Sequence, residues 1–306
     1  MRIDHTIDVP ASRFIFVHYH IFKNGGTTIE SILRREFGGG FATVHGPRAG
    51  SVLDAKGLTK FLRLHPGISA VSSHHLRYPK PDVRGWVIFD CCFLRHPLER
   101  LVSLYNHFRR EDSADPLCPR ARRDTPREFM KRLLDESPNL VSDVQVTQLA
   151  NAGAFTRPAR EHDRECAAQV FCDMAVPGVV ELFDESLVGA EYFLKPAFPA
   201  LRLHHSPENV SQPALHRRQG NRRHTEETLV DLWGADVYSD LLPLNQLDLE
   251  LFRRAKIEIL RRLFLVPGMD ERLAEFKARY APHRMQISAG ATERESVRAR
   301  VAAGGV

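Results

Sequence analysis

Nine residues, Trp86–Leu94 (WVIFDCCFL), form a near-continuous apolar run, broken only by Asp90. A segment this short, with aromatic and β-branched side chains and little alternation, reads as a strand covered on both faces. Strands of that kind sit in parallel sheets packed between helices. Directly after it, Pro97 stands where a helix accepts proline as its first residue. Leu98, Leu101, Val102 and Tyr105 then recur at helical spacing, predicting a helix toward Arg110. The same order occurs earlier in the chain. Phe14–His20 reads as a buried strand, Lys23-Asn24-Gly25-Gly26 as a turn, and Thr27–Phe37 as a helix with Ile29, Ile32, Leu33 and Phe37 on one face, stopped by Gly38-Gly39-Gly40. Ala70–His74 and Val179–Phe183 read as further strands, the second preceded by a Pro-Gly turn, and Leu247–Phe264 as a long amphipathic helix. Strands alternating with helices predict an α/β fold, a parallel β-sheet flanked by helices. One domain is expected over residues 1–287, less regular over 112–170, with a flexible tail over 288–306.

Composition narrows the classes further. The chain has 306 residues, 43% of them hydrophobic, which suffices for a core without metal or disulfide staples. No apolar run approaches the ~18–20 residues needed to span a bilayer. The first dozen residues carry Asp4 and Asp8 and lack an apolar signal core. The five cysteines, at 91, 92, 118, 166 and 172, show no CxxC spacing, so neither a zinc site nor a disulfide framework is indicated. Cys91 and Cys92 read as small core residues. A reducing, cytoplasmic setting is expected, with a peripheral position at the inner face of a membrane as the other option. The net charge of +5 suits a protein that handles phosphate, sulfate or acidic glycans and is too small to argue for nucleic acid.

Ligands of open parallel sheets bind beyond the carboxyl ends of the strands, and two glycine or cation turns fall there. In His20-Ile21-Phe22-Lys23-Asn24-Gly25-Gly26-Thr27-Thr28, the glycines let the backbone curl tightly, and the helix N-terminus offers unpaired N–H groups to an anion. Lys23 adds a full charge, and Thr27 and Thr28 add hydroxyls. A Walker A loop places its lysine after the glycines, whereas here it precedes them, and no GxGxxG pattern is present. Nucleotide kinases of that loop type and dinucleotide oxidoreductases are therefore disfavoured. The second element is Phe93-Leu94-Arg95-His96-Pro97, with Ser103 two turns into the following helix. Arg95 can fork onto a phosphate while Ser103 adds a hydrogen bond. The plainer readings are a solvated Lys23, and an Arg95 paired with Asp90 or Glu99.

HIFKNGGTT resembles the HIPKTGGTS-type 5′-phosphosulfate loop of the carbohydrate sulfotransferases related to heparan sulfate 2-O- and 6-O-sulfotransferases. FLRHPLERLVSLYNH resembles their 3′-phosphate segment, usually LRDPVERxxSxYxH. Asn139 with Gln145 in NLVSDVQVTQLAN, then PGVVELFDESL, ENVSQ and NQLDLELFRRA, follow the family's order, so the resemblance covers about residues 14–265. It implies a P-loop-like nucleotide-binding fold, 3′-phosphoadenosine-5′-phosphosulfate (PAPS) as donor and a carbohydrate or glycolipid hydroxyl as acceptor, with no metal. By the same resemblance, Lys23 contacts the phosphosulfate near the breaking bond and Asn24, Gly25, Gly26, Thr27 and Thr28 hold the 5′ end. Arg95 and Ser103 fall on the positions that bind the 3′-phosphate. Phe22, Asn24 and His96 depart from the usual proline, threonine and aspartate. Golgi members carry a membrane anchor, so a bacterial-type enzyme is expected.

Sulfuryl transfer to an alcohol is helped by a base, His74 or His75 being the candidates here, with a glutamate or no general base as the alternatives. His74 and His75 end a predicted strand between the two anion elements, and His74 aligns with the family's proposed base histidine. The alternative for this pair is a hydrogen-bonded strand end. His18, His20, His96 and His107 read as packed or solvated, with a place near the Lys23 loop as the other option for His20. Two basic stretches, Arg109–Arg132 and His216–His224, read as loop charge balanced by Glu111, Asp112, Asp115 and Asp124, or as a groove for an anionic, non-nucleic-acid polymer or lipid head. Asn209-Val210-Ser211 is formally a glycosylation sequon. Two other functions stay open at this point: a nucleotide-dependent phosphotransferase, and a non-catalytic glycan- or nucleotide-binding relative.

Overall fold

The computed structural model describes residues 12–46, 48, 50–150, 157–205 and 224–279. The sequon at Asn209, the basic residues 216–223 and the tail 288–306 lie outside them. Five parallel strands form one sheet: β1 (Arg13–Tyr19), β2 (Phe41–Thr43), β3 (Ala70–Ser73), β4 (Trp86–Leu94) and β5 (Val176–Val179), in the order β2-β3-β1-β4-β5. β1 pairs with β3 from Phe16↔Ala70 to Tyr19↔Ser73, and with β4 from Arg13↔Trp86 to His18↔Cys91. The loops that leave β1 and β4 are therefore neighbours, and the order reverses between them.

Strand pleat divides the core. Ile15, Val17, Tyr19, Val71, Cys92 and Leu94 face α2 (Ala55–Leu64), α6 (Val144–Ala150), α7 (Glu161–Asp173) and α11 (Gln246–Phe264). Phe16, Ala70, Cys91 and Phe93 face α1 (Gly26–Phe37), α8 (Phe183–Leu194) and a helix over 269–279. Cys91 and Cys92 are thus packed core residues, one on each face. A third cluster joins α3 (Pro97–Arg110), α4 (Leu117–Arg123), α5 (Pro126–Glu136), α9 (Glu226–Trp233) and α10 (Ala235–Leu244). Phe22, in the loop after β1, packs against it, so this helical layer flanks the carboxyl rim of the sheet. Among the described residues no helix is long and apolar enough to cross a membrane.

The expected α/β sheet is present, with three local differences. A short edge strand, β2, follows the triple glycine. The described residues between 112 and 173 hold the α-helices α4, α5, α6 and α7, of which α5 opens with a capping box at Thr125 and Glu128 and a proline at its start. The strand expected over Val179–Phe183 lies instead over Val176–Val179, with Pro177 and Gly178 inside it. Both residues have a reason to be there. Proline is tolerated on an edge strand. A Cβ on Gly178 would come within 2.5 Å of the Phe93 ring, so only glycine lets β5 close on β4. Gly178→Ala is expected to cost about 1–3 kcal/mol through overpacking, read by urea unfolding. Adding Phe93→Leu should recover part of that loss, and a neutral Gly178→Ala would contradict the packing argument.

Candidate functional site

The loop after β1 is built on two left-handed residues. Lys23 has φ 70° and Gly25 φ 77°. Gly25 caps α1 without a side-chain hydrogen bond, and while the Thr28 N–H turns back to the Gly25 carbonyl at 3.1 Å, the amides of Gly26 and Thr27 remain available to an anion. Gly26 cannot be anything larger, because a Cβ there would lie 1.9 Å from the His20 ring. Thr27 is exposed and Thr28 half-buried at the same helix end.

Asn24 differs from the expectation for it. Its side chain is turned inward, 2% exposed, and donates to the Phe93 carbonyl at 2.9 Å and to Gln145 Oε1 at 2.8 Å. A threonine hydroxyl, with one proton, cannot make both bonds. Asn24 therefore ties the loop down rather than presenting its amide to a ligand. Gln145 Oε1 also accepts from the Arg95 backbone N–H at 2.9 Å, while Gln145 Nε2 donates to the Arg95 carbonyl at 2.8 Å. One fully buried amide thus joins the turn after β1 to the turn after β4. The clamp is supported in turn. Asp248 on α11 accepts from the Gln145 and Val146 amides at the start of α6, and Asp143 Oδ1 accepts from the Asp248 N–H at 2.9 Å. Burial and the Asp248 charge push the Asp143 carboxyl up to about 7.

The two cations predicted from separate motifs share one surface. Arg95 Nη1 donates to the Lys23 carbonyl at 3.2 Å. Neither forms an ion pair among the described residues; Asp90 bonds Tyr78 and Lys80 instead, and Glu99 bonds His224. Burial, then the nearby Arg95 guanidinium, pulls the Lys23 ammonium down to about 8. Burial also lowers Arg95, against the charges of Glu181 and Glu99. Ser103 lies on α3, buried, one turn beyond Glu99 on the same helix face. His96, the third departure, donates its backbone N–H to Glu181 Oε1 at 2.8 Å.

His74 and His75 point in different directions. His74 Nδ1 donates to the His20 carbonyl at 2.9 Å, and its ring lies 3.7 Å from the His20 ring. Burial, followed by His20, lowers the His74 imidazole to about 4, so it is neutral near pH 7. His75 is buried, and its Nδ1 accepts from the Gly46 N–H at 2.6 Å. Phe22 links the loop lysine to His74. The Lys23 ammonium stands 5.3 Å from its ring centre, and the rings of His74 and His107 stand 5.8 and 5.1 Å away.

Three contributors escaped the sequence reading: Gln145 as a clamp, Phe22 as a hub, and Glu30. Glu30 Oε1 accepts from His20 Nδ1 at 2.9 Å and from the Ser72 hydroxyl at 2.8 Å, and Ser72 also bonds His18 Nδ1. Donor atoms of His18, His20 and Glu30 lie within 4.8 Å of one another, but these hydrogen bonds already engage them. Glu30 sits one turn into α1, a helical spacing that strand-end arguments do not inspect. Four cations of the Arg109–Arg132 stretch are committed to ion pairs: Arg120 with Glu136, Arg123 and Arg132 with Asp124, Arg127 with Asp236.

Comparison with known proteins agrees with this geometry. A protein of Archaeoglobus fulgidus described as uncharacterized is 24% identical over 250 residues, covering 79% of this chain and 96% of that protein. The profile of the sulfotransferase family matches residues 9–253. That match runs from ahead of β1 into α11, through both cationic turns and the glutamine that ties them, and the chain belongs to the sulfotransferase family.

Proposed function

We infer that the protein moves a sulfuryl group from PAPS to a hydroxyl of a carbohydrate or glycoconjugate, releasing 3′-phosphoadenosine 5′-phosphate (PAP). One observation carries this reading: Lys23 and Arg95, uncommitted to carboxylates among the described residues, meet at the Lys23 carbonyl beside the uncapped start of α1. The residues fit an adenosine donor with anionic groups at both ends. Lys23, the amides of Gly25, Gly26 and Thr27, and the hydroxyls of Thr27 and Thr28 suit the 5′ end, and Arg95 with Ser103 the 3′-phosphate. Bound PAPS supplies the sulfuryl group and a phosphate leaving group.

The chain's own part is positional and electrostatic. His74 Nε2, left with its lone pair because Nδ1 donates to His20, takes the proton of the attacking hydroxyl. Lys23 offsets the charge that gathers on the departing phosphate oxygen. Arg95 and Ser103 hold the far end of the nucleotide, which fixes the line of attack. On the acceptor side, His107, Arg110 and Glu111 at the end of α3 lie within the field of Lys23. The net positive charge there suits an acceptor carrying carboxylate or sulfate groups.

Transfer of labelled sulfate from PAPS onto a glycan panel tests the reaction; absence of transfer to every glycan, with transfer to a non-sugar alcohol, would refute the acceptor class. The pH profile has a definite sign. His74 works when neutral and Lys23 when charged, so kcat/KM should rise through about 4, hold, and fall through about 8. His74→Ala should lower turnover by roughly a hundredfold or more with PAP affinity kept; full activity would remove His74 as base. In calorimetry, Arg95→Ala should weaken PAP binding roughly tenfold to a hundredfold. Gln145→Leu, which removes no charge, should shift affinity in the same direction.

A further inference from the structure

We propose that His20, locked by Glu30, is a positioning residue that sets both the ring plane and the tautomer of His74, an assignment that rests on His74 being the base. The proton accounting requires it. A carboxylate only accepts, so His20 Nδ1–H and the Ser72 hydroxyl both donate to Glu30 Oε1. Ser72 has then spent its one proton, so its oxygen accepts from His18 Nδ1–H at 2.9 Å. A backbone carbonyl also only accepts, so His74 Nδ1 carries the proton in its bond to the His20 carbonyl. His20 therefore acts on His74 twice. Its carbonyl leaves the lone pair on Nε2, and its ring, 3.7 Å away, backs the His74 ring on one side.

The His20 ring is itself confined. His18 stacks on it at 5.1 Å, Glu30 holds its Nδ1, and Gly26 leaves no Cβ to push it aside. Glu30 belongs to the same helix whose first amides face the donor. Displacing α1 would move the donor cradle and the support of the base together. Burial works against the Glu30 charge, but the bonds from His20 and Ser72 hold its carboxyl down to about 2. It remains an anion near the imidazolium that forms when His74 accepts a proton.

The test is NMR of protein carrying ring-15N histidine, with PAP bound, the His74 signals identified by their loss in His74→Ala. A neutral His74 with its proton on Nδ1 is expected; a proton on Nε2 would overturn the proposal in the unaltered protein. Glu30→Gln, and His20→Asn, which keeps the carbonyl and a donor for Glu30 but loses the ring, should each free the His74 ring to swing off the position 20 carbonyl and so give mixed His74 tautomers. Each should lower kcat roughly tenfold to a hundredfold, with KM for PAPS nearly unchanged. Ser72→Ala removes one of the two donors to Glu30 and should show a smaller loss of kcat in the same direction, which serves if the other variants do not fold. A single Nδ1–H tautomer and parental kcat in the variants would overturn the assignment. Parental activity in His74→Ala would instead remove the base reading, while the tautomer data would still decide whether His20 orients that ring.

Discussion

Two like charges at the rim of one sheet repel, and the fold must hold them together without cancelling them. A carboxylate between Lys23 and Arg95 would do the first and forfeit the second. The side chain that solves this is a neutral amide. Gln145 has both polar atoms engaged, Oε1 by Asn24 and the Arg95 N–H, Nε2 by the Arg95 carbonyl, and it is fully buried. A buried amide with its hydrogen bonds satisfied costs little, whereas an unpaired one is expensive. The acidic groups are set one residue further back, with Asp248 holding the start of α6 and Asp143 holding Asp248. The geometry is thus fixed by dipoles, and the positive field at the rim is left for a ligand.

Much of this framework was legible in the sequence. Trp86–Leu94 and the helix begun by Pro97 were readable because a doubly covered strand and a proline-started helix each have one physical solution. The turn at Lys23-Asn24-Gly25-Gly26 was readable because positive φ and the absence of side chains call for glycine. The strand at Val176–Val179 was misplaced because Pro177-Gly178 is ordinary turn chemistry, and only the Phe93 ring beneath Gly178 explains its place in a sheet. Helices α4 and α6 were missed because, at seven residues each, they are short and draw their stability from tertiary packing rather than a long periodic face. Gln145, Phe22 and Glu30 were not recognised in their roles for a different reason. Each acts through contacts with distant segments, and nothing local marks such a residue.

The departures from the family pattern also acquire causes. Asn24 is suited to its position because its amide spans two acceptors. Phe22 fills the space between the loop and the α3 layer, where its ring touches Phe108 and His107 and gives the Lys23 ammonium an aromatic face. The arginine-rich stretch after α3 has less free charge than its composition suggested, since most of its described guanidiniums meet carboxylates. Exposed pairs of that kind contribute little stability. Their consequence is to reduce the positive field that these described residues add to that of Lys23 and Arg95.

The order of these parts along the chain carries a last consequence. Both cationic turns lie within the first hundred residues, but the amide that joins them comes at 145 and the carboxylate that seats that amide at 248. During synthesis the turns emerge well before anything can hold them, and a nascent polypeptide still lacking α11 has a sheet without a finished grip. The grip formed by these parts therefore needs α11 in place, and it is acquired after the turns that it joins.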